Sequence, residues 1–148
     1  MRLYRIARSA HALDLTGEGA RLHGGRWTPP GLPAIYTAEH PALAALEILV
    51  HFGLPTDAAP LDHRLIAIEA PQTAVDEMLR LPSVPADTAS SGRHWLESGA
   101  SLLLAVPSVV VPESTNVIIN PRHPDIAEVS ATDLGVFLFD SRLSPQQP

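Results

Sequence analysis

Three side chains suited to group-transfer chemistry stand close together in the stretch GGRWTPPGLPAIYTAEHPALAALEILVH, residues 24–51. Arg26 follows two glycines, whose backbone lets a ligand approach closely. A guanidinium there can fork a phosphate through two parallel N–H bonds, whereas a plain surface arginine would stack on Trp27 or pair locally. Tyr36 ends a short apolar run; its ring either packs in the core with the hydroxyl satisfied or stacks on a planar heterocycle. Glu47 is the one carboxylate between residues 42 and 52. Charged side chains are seldom buried without a partner, so Glu47 either pairs at the rim of the core or faces a site. In a site with little water it would stabilise positive charge that develops during a reaction. Each of the three is ambiguous by itself.

The elements that must position them follow from local patterning. Pro41 suits a first helical turn, where its missing N–H has no intrahelical partner, and Gly53 is a stop signal, so a helix is expected over 42–52. Residues four apart share a helix face, which aligns Leu43, Glu47 and His51; Leu46, Leu49 and Val50 flank that face and would leave Glu47 poorly solvated. Pro29-Pro30-Gly31 marks a turn, from which a hairpin-like unit is expected between 25–28 and 33–37. Further strands are expected at 2–7, 64–69, 101–106, 108–111, 116–120 and 134–139, and short helices at 74–79 and 92–99. Residues 9–22 read as a loop with a helical turn, and 57–60 as a surface loop. No repeat and no long linker divides the chain. The expectation is one α+β domain over 1–148, with a mixed, mainly antiparallel sheet, flanking helices and a frayed tail at 143–148.

Composition removes whole classes of chemistry. The 148 residues are 45% apolar and 18% charged, which fits a folded domain with a sizeable core. Net charge is −6 with no lysine and no basic run, an unfavourable balance for nucleic-acid binding. No cysteine is present, so disulfides, thiolate nucleophiles and cysteine zinc sites are excluded. The seven histidines, at 11, 23, 40, 51, 63, 94 and 123, form no HExxH and no tight pair, so no metal is expected. There is no G-x-S-x-G, G-x-G-x-x-G or G-K-[ST], which leaves no support for a serine-hydrolase elbow, a dinucleotide fingerprint or a phosphate loop. Ser108 is by itself a strand-end hydrogen-bonder, and Asn116 and Asn120 are caps or ligand donors at either end of a strand. The N-terminus lacks an apolar signal core and no run reaches about 20 apolar residues, so a cytoplasmic protein with no membrane contact is expected.

Taken together, GGRWTPPGLPAIYTAEHPALAALEILVH, the later LAVPSVVVPESTNVIINPRHPDI and the opening LYRIA resemble the RES domain, named for its Arg, Glu and Ser. The likeness runs from about Leu3 to Ile126. It implies a fold similar to the ADP-ribosyltransferase toxins, NAD+ as the substrate consumed, and an Xre-type antitoxin covering the site. It also implies a toxin that cleaves the nicotinamide–ribose bond and gives ADP-ribose to an acceptor: a protein, as in a mono-ADP-ribosyltransferase, or water or phosphate. By the same resemblance Arg26, Tyr36, Glu47 and Ser108 carry catalysis, while Arg5, Gly25 and Asn120 join Arg26 and Tyr36 in contacting NAD+. A non-catalytic nucleotide- or partner-binding module is the competing reading.

Overall fold

The computed structural model describes residues 1–52 and 62–143. Seven strands form one sheet: β1 (Arg2–Arg8), β2 (Ile35–Ala38), β3 (His63–Glu69), β4 (Leu79–Arg80), β5 (Leu103–Pro107), β6 (Thr115–Ile119) and β7 (Ser130–Val136). Their order is β4-β5-β6-β2-β1-β3-β7, antiparallel throughout except for the parallel β4–β5 pair at one edge. Among the described residues four α-helices accompany it: α1 (Glu18–His23), α2 (Pro41–Phe52), α3 (Gln72–Asp76) and α4 (Thr88–Ser98). The architecture is α+β.

Successive strand residues point to opposite faces, and here both faces are covered. On one, Leu3, Ile35, Ile66, Ile68, Leu103, Val117 and Ile119 pack beneath Ala74, Met78 and Val129. The other face is split. Ile6 and Ala38 lie under Leu43 and Ala44 of α2, while Leu104, Val106 and Ile118 lie under Trp27 and the α4 residues Trp95 and Leu96. Tyr36, on the same face as Ala38, stands between the two groups.

Several expectations need correction. The hairpin of 25–28 with 33–37 does not form: Gly25 and Thr28 bond to each other (N–H to carbonyl 2.8 and 3.3 Å), closing a small loop. Both edges of β2 are instead taken by β1 and β6. Residues 108–111 form no strand, because the chain turns as soon as Ser108 leaves β5. The last strand begins at Ser130, not 134. It is an edge strand with alternating burial, and the apolar run that suggested 134–139 places Leu134, Val136 and Leu138 in solvent. Helix α3 starts earlier than expected and stops at Asp76, so that Leu79–Arg80 can pair with β5. Helix α4 starts at Thr88 because the Asp87 carboxylate accepts the Ser90 N–H at 2.9 Å, a side-chain N-cap. The expected stop at Gly53, the loop at 57–60 and the tail residues 144–148 lie outside the described residues.

Candidate active site

Helix α2 buries Leu43 and Ala44 against β1 and β2, and one turn beyond Leu43 this presents Glu47 to the gap in the split face. Its Oε1 accepts two hydrogen bonds, from Ser108 Oγ at 2.7 Å and Asn116 Nδ2 at 2.6 Å. Among the described residues Oε2 has no partner. Ser108 is 1% exposed at the end of β5, and its Oγ accepts the N–H groups of Val110 (3.1 Å) and Val111 (2.9 Å). With its one proton given to Glu47 and its oxygen occupied by two donors, this hydroxyl is an anchor for the carboxylate and is not poised as a nucleophile. Asn116 lies opposite Val106 in the β5–β6 ladder, which places its amide beside the same oxygen.

Tyr36 is fixed from the other side of the gap. Its Oη accepts the Trp27 N–H at 3.1 Å and shares a hydrogen bond with Thr28 Oγ1 at 2.9 Å. Burial raises the pKa of this phenol above its usual value, only partly offset by those two bonds. The glycine before Arg26 has a different purpose from the one its sequence suggested. A Cβ on Gly25 would fall 2.6 Å from Tyr36 Oη and 2.8 Å from Cζ, so the space is kept for the tyrosine ring. The Arg26 carbonyl accepts from Thr88 Oγ1 at 2.7 Å, whereas its guanidinium is exposed and has no hydrogen-bond or ion-pair partner among the described residues. Arg26, Trp27, Tyr36, Glu47 and Asn116 line a cleft of about 70 Å³ floored by Val106 and Ile118.

The structure thus brings Arg26, Tyr36, Glu47 and Ser108 to one place, with Gly25 behind Tyr36. It does not bring Arg5 or Asn120 there. Arg5 shares the Leu3 face of β1, opposite the cleft, and its Nη2 donates to the carbonyls of His11 (2.7 Å) and Ala12 (3.0 Å). Burial lowers its pKa, countered by the nearby Asp14 carboxylate. Asn120 is 1% exposed and hydrogen-bonded through both amide atoms: Nδ2 donates to the Leu96 carbonyl at 3.2 Å and Oδ1 accepts the Arg122 N–H at 3.0 Å. It ties α4 to the sheet. His51 is exposed further along α2 and does not line the cleft.

Two contributors went unassigned in the sequence. Asn116 was one of two asparagines around a strand; strand alternation puts it on the face of Ile118, and its register with Val106 at the Ser108 end of β5 separates it from Asn120. Gly92 was the other. A Cβ there would meet the Trp27 carbonyl oxygen at 1.8 Å, so only glycine lets α4 press on the loop that carries Arg26. Among the described residues no group of His, Asp or Glu could hold a metal ion, and no helix is long and apolar enough to cross a membrane.

The family model of the RES domain matches residues 2–140. The chain belongs to this family. A family relative in Sphingobium sp. (strain YBL2), the "Prs ADP-ribosylating toxin", is 39% identical over 157 residues, covering 96% of this chain and 94% of its own. A shorter likeness, 52% over 40 residues and 26% of this chain, links it to the "NAD(+) phosphorylase MbcT" of Mycobacterium tuberculosis (strain ATCC 25618 / H37Rv), covering 22% of that protein. A chain in the crystal structure of the M. tuberculosis MbcT-MbcA toxin-antitoxin complex has the same fold. It superimposes with a TM-score of 0.60 at 22% identity, over 90% of this chain and 83% of that one.

Proposed function

We propose that this protein is an NAD+-consuming toxin enzyme of a bacterial toxin–antitoxin pair, which breaks the nicotinamide–ribose bond and passes ADP-ribose to an acceptor. The observation that carries the reading is the state of Glu47: one carboxylate oxygen held by Ser108 and Asn116, the other, beside a cleft, without a partner among the described residues. Departure of nicotinamide builds oxocarbenium character on the ribose, as in glycoside cleavage. A preoriented carboxylate in a partly enclosed site opposes that charge without having to reorganise. The C–N bond electrons leave with nicotinamide, which departs neutral, so no strong general acid is needed. The acceptor adds to the ribose carbon and releases its proton.

Tyr36 offers its ring to the nicotinamide, while Arg26, whose guanidinium has no partner among the described residues, offers it to the diphosphate. Ser108 and Asn116 act through Glu47 and are positioning residues. A protein acceptor, which would make the chain a mono-ADP-ribosyltransferase, is favoured by the Sphingobium relative, similar over nearly its whole length. Phosphate as acceptor is the second reading, favoured by the likeness to the mycobacterial NAD(+) phosphorylase, with water as its variant. The remaining proposals are a single catalytic domain, a cytoplasmic location and an Xre-type antitoxin lying over the cleft. Incubating the purified protein with NAD+ tests the reading. Nicotinamide should accumulate, and adenylate-labelled NAD+ should mark a protein if the acceptor is one. NAD+ left intact in buffer, in phosphate and in cell lysate would refute it.

A further inference from the structure

The turn that follows β5 reads SVVVP, residues 108–112, although turns favour small and polar residues. Ser108 Oγ accepts the Val110 and Val111 N–H groups at 3.1 and 2.9 Å, and the Ser114 N–H closes on the Val111 carbonyl at 2.8 Å. The same Ser108 Oγ donates to Glu47 Oε1, so this turn is fastened to the carboxylate. Val111 is apolar for a packing reason: it lies against the cluster that Leu43 and Ala44 of α2 form with Ile6 and Ala38. Val109 joins none of the core clusters among the described residues. It is 46% exposed and lines the Glu47 cleft. A lone exposed valine needs no explanation, but one fixed where a cleft meets solvent is placed to touch a ligand.

Trp27, Val106 and Ile118 also line the cleft, but they are almost fully buried and have little surface left to give. Among the described lining residues Val109 is the exposed apolar one. The donor in the proposed reaction has parts with different needs. Its diphosphate suits the cation of Arg26 and its ribose the anion of Glu47, whereas the planar nicotinamide ring has apolar faces that neither charge serves. We infer that Val109 is a donor-contacting residue, which packs its methyl groups on the nicotinamide ring and so favours that base. The inference rests on the NAD+-consuming reading. Valine is stiff about its first side-chain torsion and this turn is braced by Ser108, so little freedom is lost when the contact forms. No bond is made or broken at Val109; it contributes to holding the intact donor and, after C–N cleavage, the free base.

The test compares wild type with Val109→Ala and Val109→Thr in the full chain. Threonine keeps the branched shape and exchanges one methyl for a hydroxyl, which separates apolarity from bulk. Val109 is exposed, so thermal unfolding of both variants should stay within about 2 °C of wild type. Nicotinamide release is measured against NAD+. Binding of free nicotinamide, and of ADP-ribose, which lacks the base, is measured separately by calorimetry. Val109→Ala should raise the half-saturating NAD+ concentration about fivefold, equivalent to about 1 kcal/mol, with a smaller change in the saturated rate. It should weaken nicotinamide binding by a similar factor and leave ADP-ribose binding within about twofold. Val109→Thr should also weaken nicotinamide binding, because shape alone does not replace apolar surface. If Val109→Ala binds nicotinamide within about twofold of wild type, or loses ADP-ribose equally, Val109 does not contact the base. Should wild type release no nicotinamide at all, the activity reading fails by itself and the titrations still decide Val109. Nicotinamide binding that Val109→Ala weakens selectively upholds the contact; binding that is absent or unchanged overturns it.

Discussion

Replacing Gly25 by alanine adds a single methyl group against the ring of Tyr36. The new Cβ would lie 2.6 Å from Oη, 2.8 Å from Cζ and 2.9 Å from Cε2. Carbon contacts settle at about 3.5–4 Å, so the ring must withdraw by about 1 Å. That movement breaks the bonds of Oη to Trp27 N–H and Thr28 Oγ1, each worth about 1 kcal/mol net. A loss of about 2 kcal/mol in a chain of this size lowers the unfolding midpoint by about 4–8 °C. Misplacing a ligand-facing group by about 1 Å costs about 100-fold in rate. Gly25 has no positive φ, so alanine adds no backbone strain and the effect isolates the side-chain contact. Thermal unfolding followed by circular dichroism and a nicotinamide-release assay read the two consequences. Combining Gly25→Ala with Tyr36→Phe should cost less than the sum of the single changes, because the closest contact disappears with the hydroxyl. If Gly25→Ala unfolds within about 1 °C of wild type and consumes NAD+ within about twofold of it, the assignment of that space to Tyr36 is wrong.

Three further outcomes follow from the same geometry. Ser108→Ala strips the Val110 and Val111 N–H groups of their acceptor and removes one of two donors to Glu47, so denaturant unfolding should show a loss of about 2–3 kcal/mol; an unchanged midpoint would mean the turn does not depend on that hydroxyl. Gly92→Ala drives a methyl into the Trp27 carbonyl, and the cost should exceed the usual overpacking range of about 1–3 kcal/mol, read as loss of folded protein or a much lower midpoint. For Tyr36, burial raises the folded-state pKa above the unfolded value of about 10. The contribution linked to its neutral form is therefore complete below about pH 10 and lost as pH climbs through the folded pKa, so Tyr36→Phe should flatten the alkaline fall in stability seen in wild type. Identical pH profiles for the two proteins would contradict this.

Much of the fold could be read from local chemistry. The helix over 42–52 announced itself through Pro41 and an unbroken run of helix formers, and α2 begins at that proline. The strands at 2–7, 64–69 and 116–120 carried enough apolar residues to be seen, since both sheet faces are covered. What escaped depended on tertiary partners. The loop at 25–28 bonds within itself because β2 has other neighbours, which no local pattern records. At β7 an exposed edge carried the apolar run, and the strand itself alternated too weakly with polar residues to stand out. Arg26, Tyr36, Glu47 and Ser108 were assembled through family resemblance, because Ser108 is 61 residues from Glu47 and nothing local links them. Arg5 and Asn120 were added by the same resemblance only as NAD+ contacts, yet one faces the opposite side of the sheet and the other bonds to α4. Burial and strand register separate them, and neither is visible without the sheet.

The proposed chemistry depends on the negative charge of Glu47, which Glu47→Gln removes while keeping the shape of the side chain. Glutamine keeps an Oε1 that can accept from both Ser108 Oγ and Asn116 Nδ2, so the unfolding midpoint should stay within about 2 °C of wild type. Loss of the negative charge opposite a developing oxocarbenium ion should lower nicotinamide release by about 100-fold or more. A folded Glu47→Gln protein that consumes NAD+ at close to the wild-type rate would contradict the central claim.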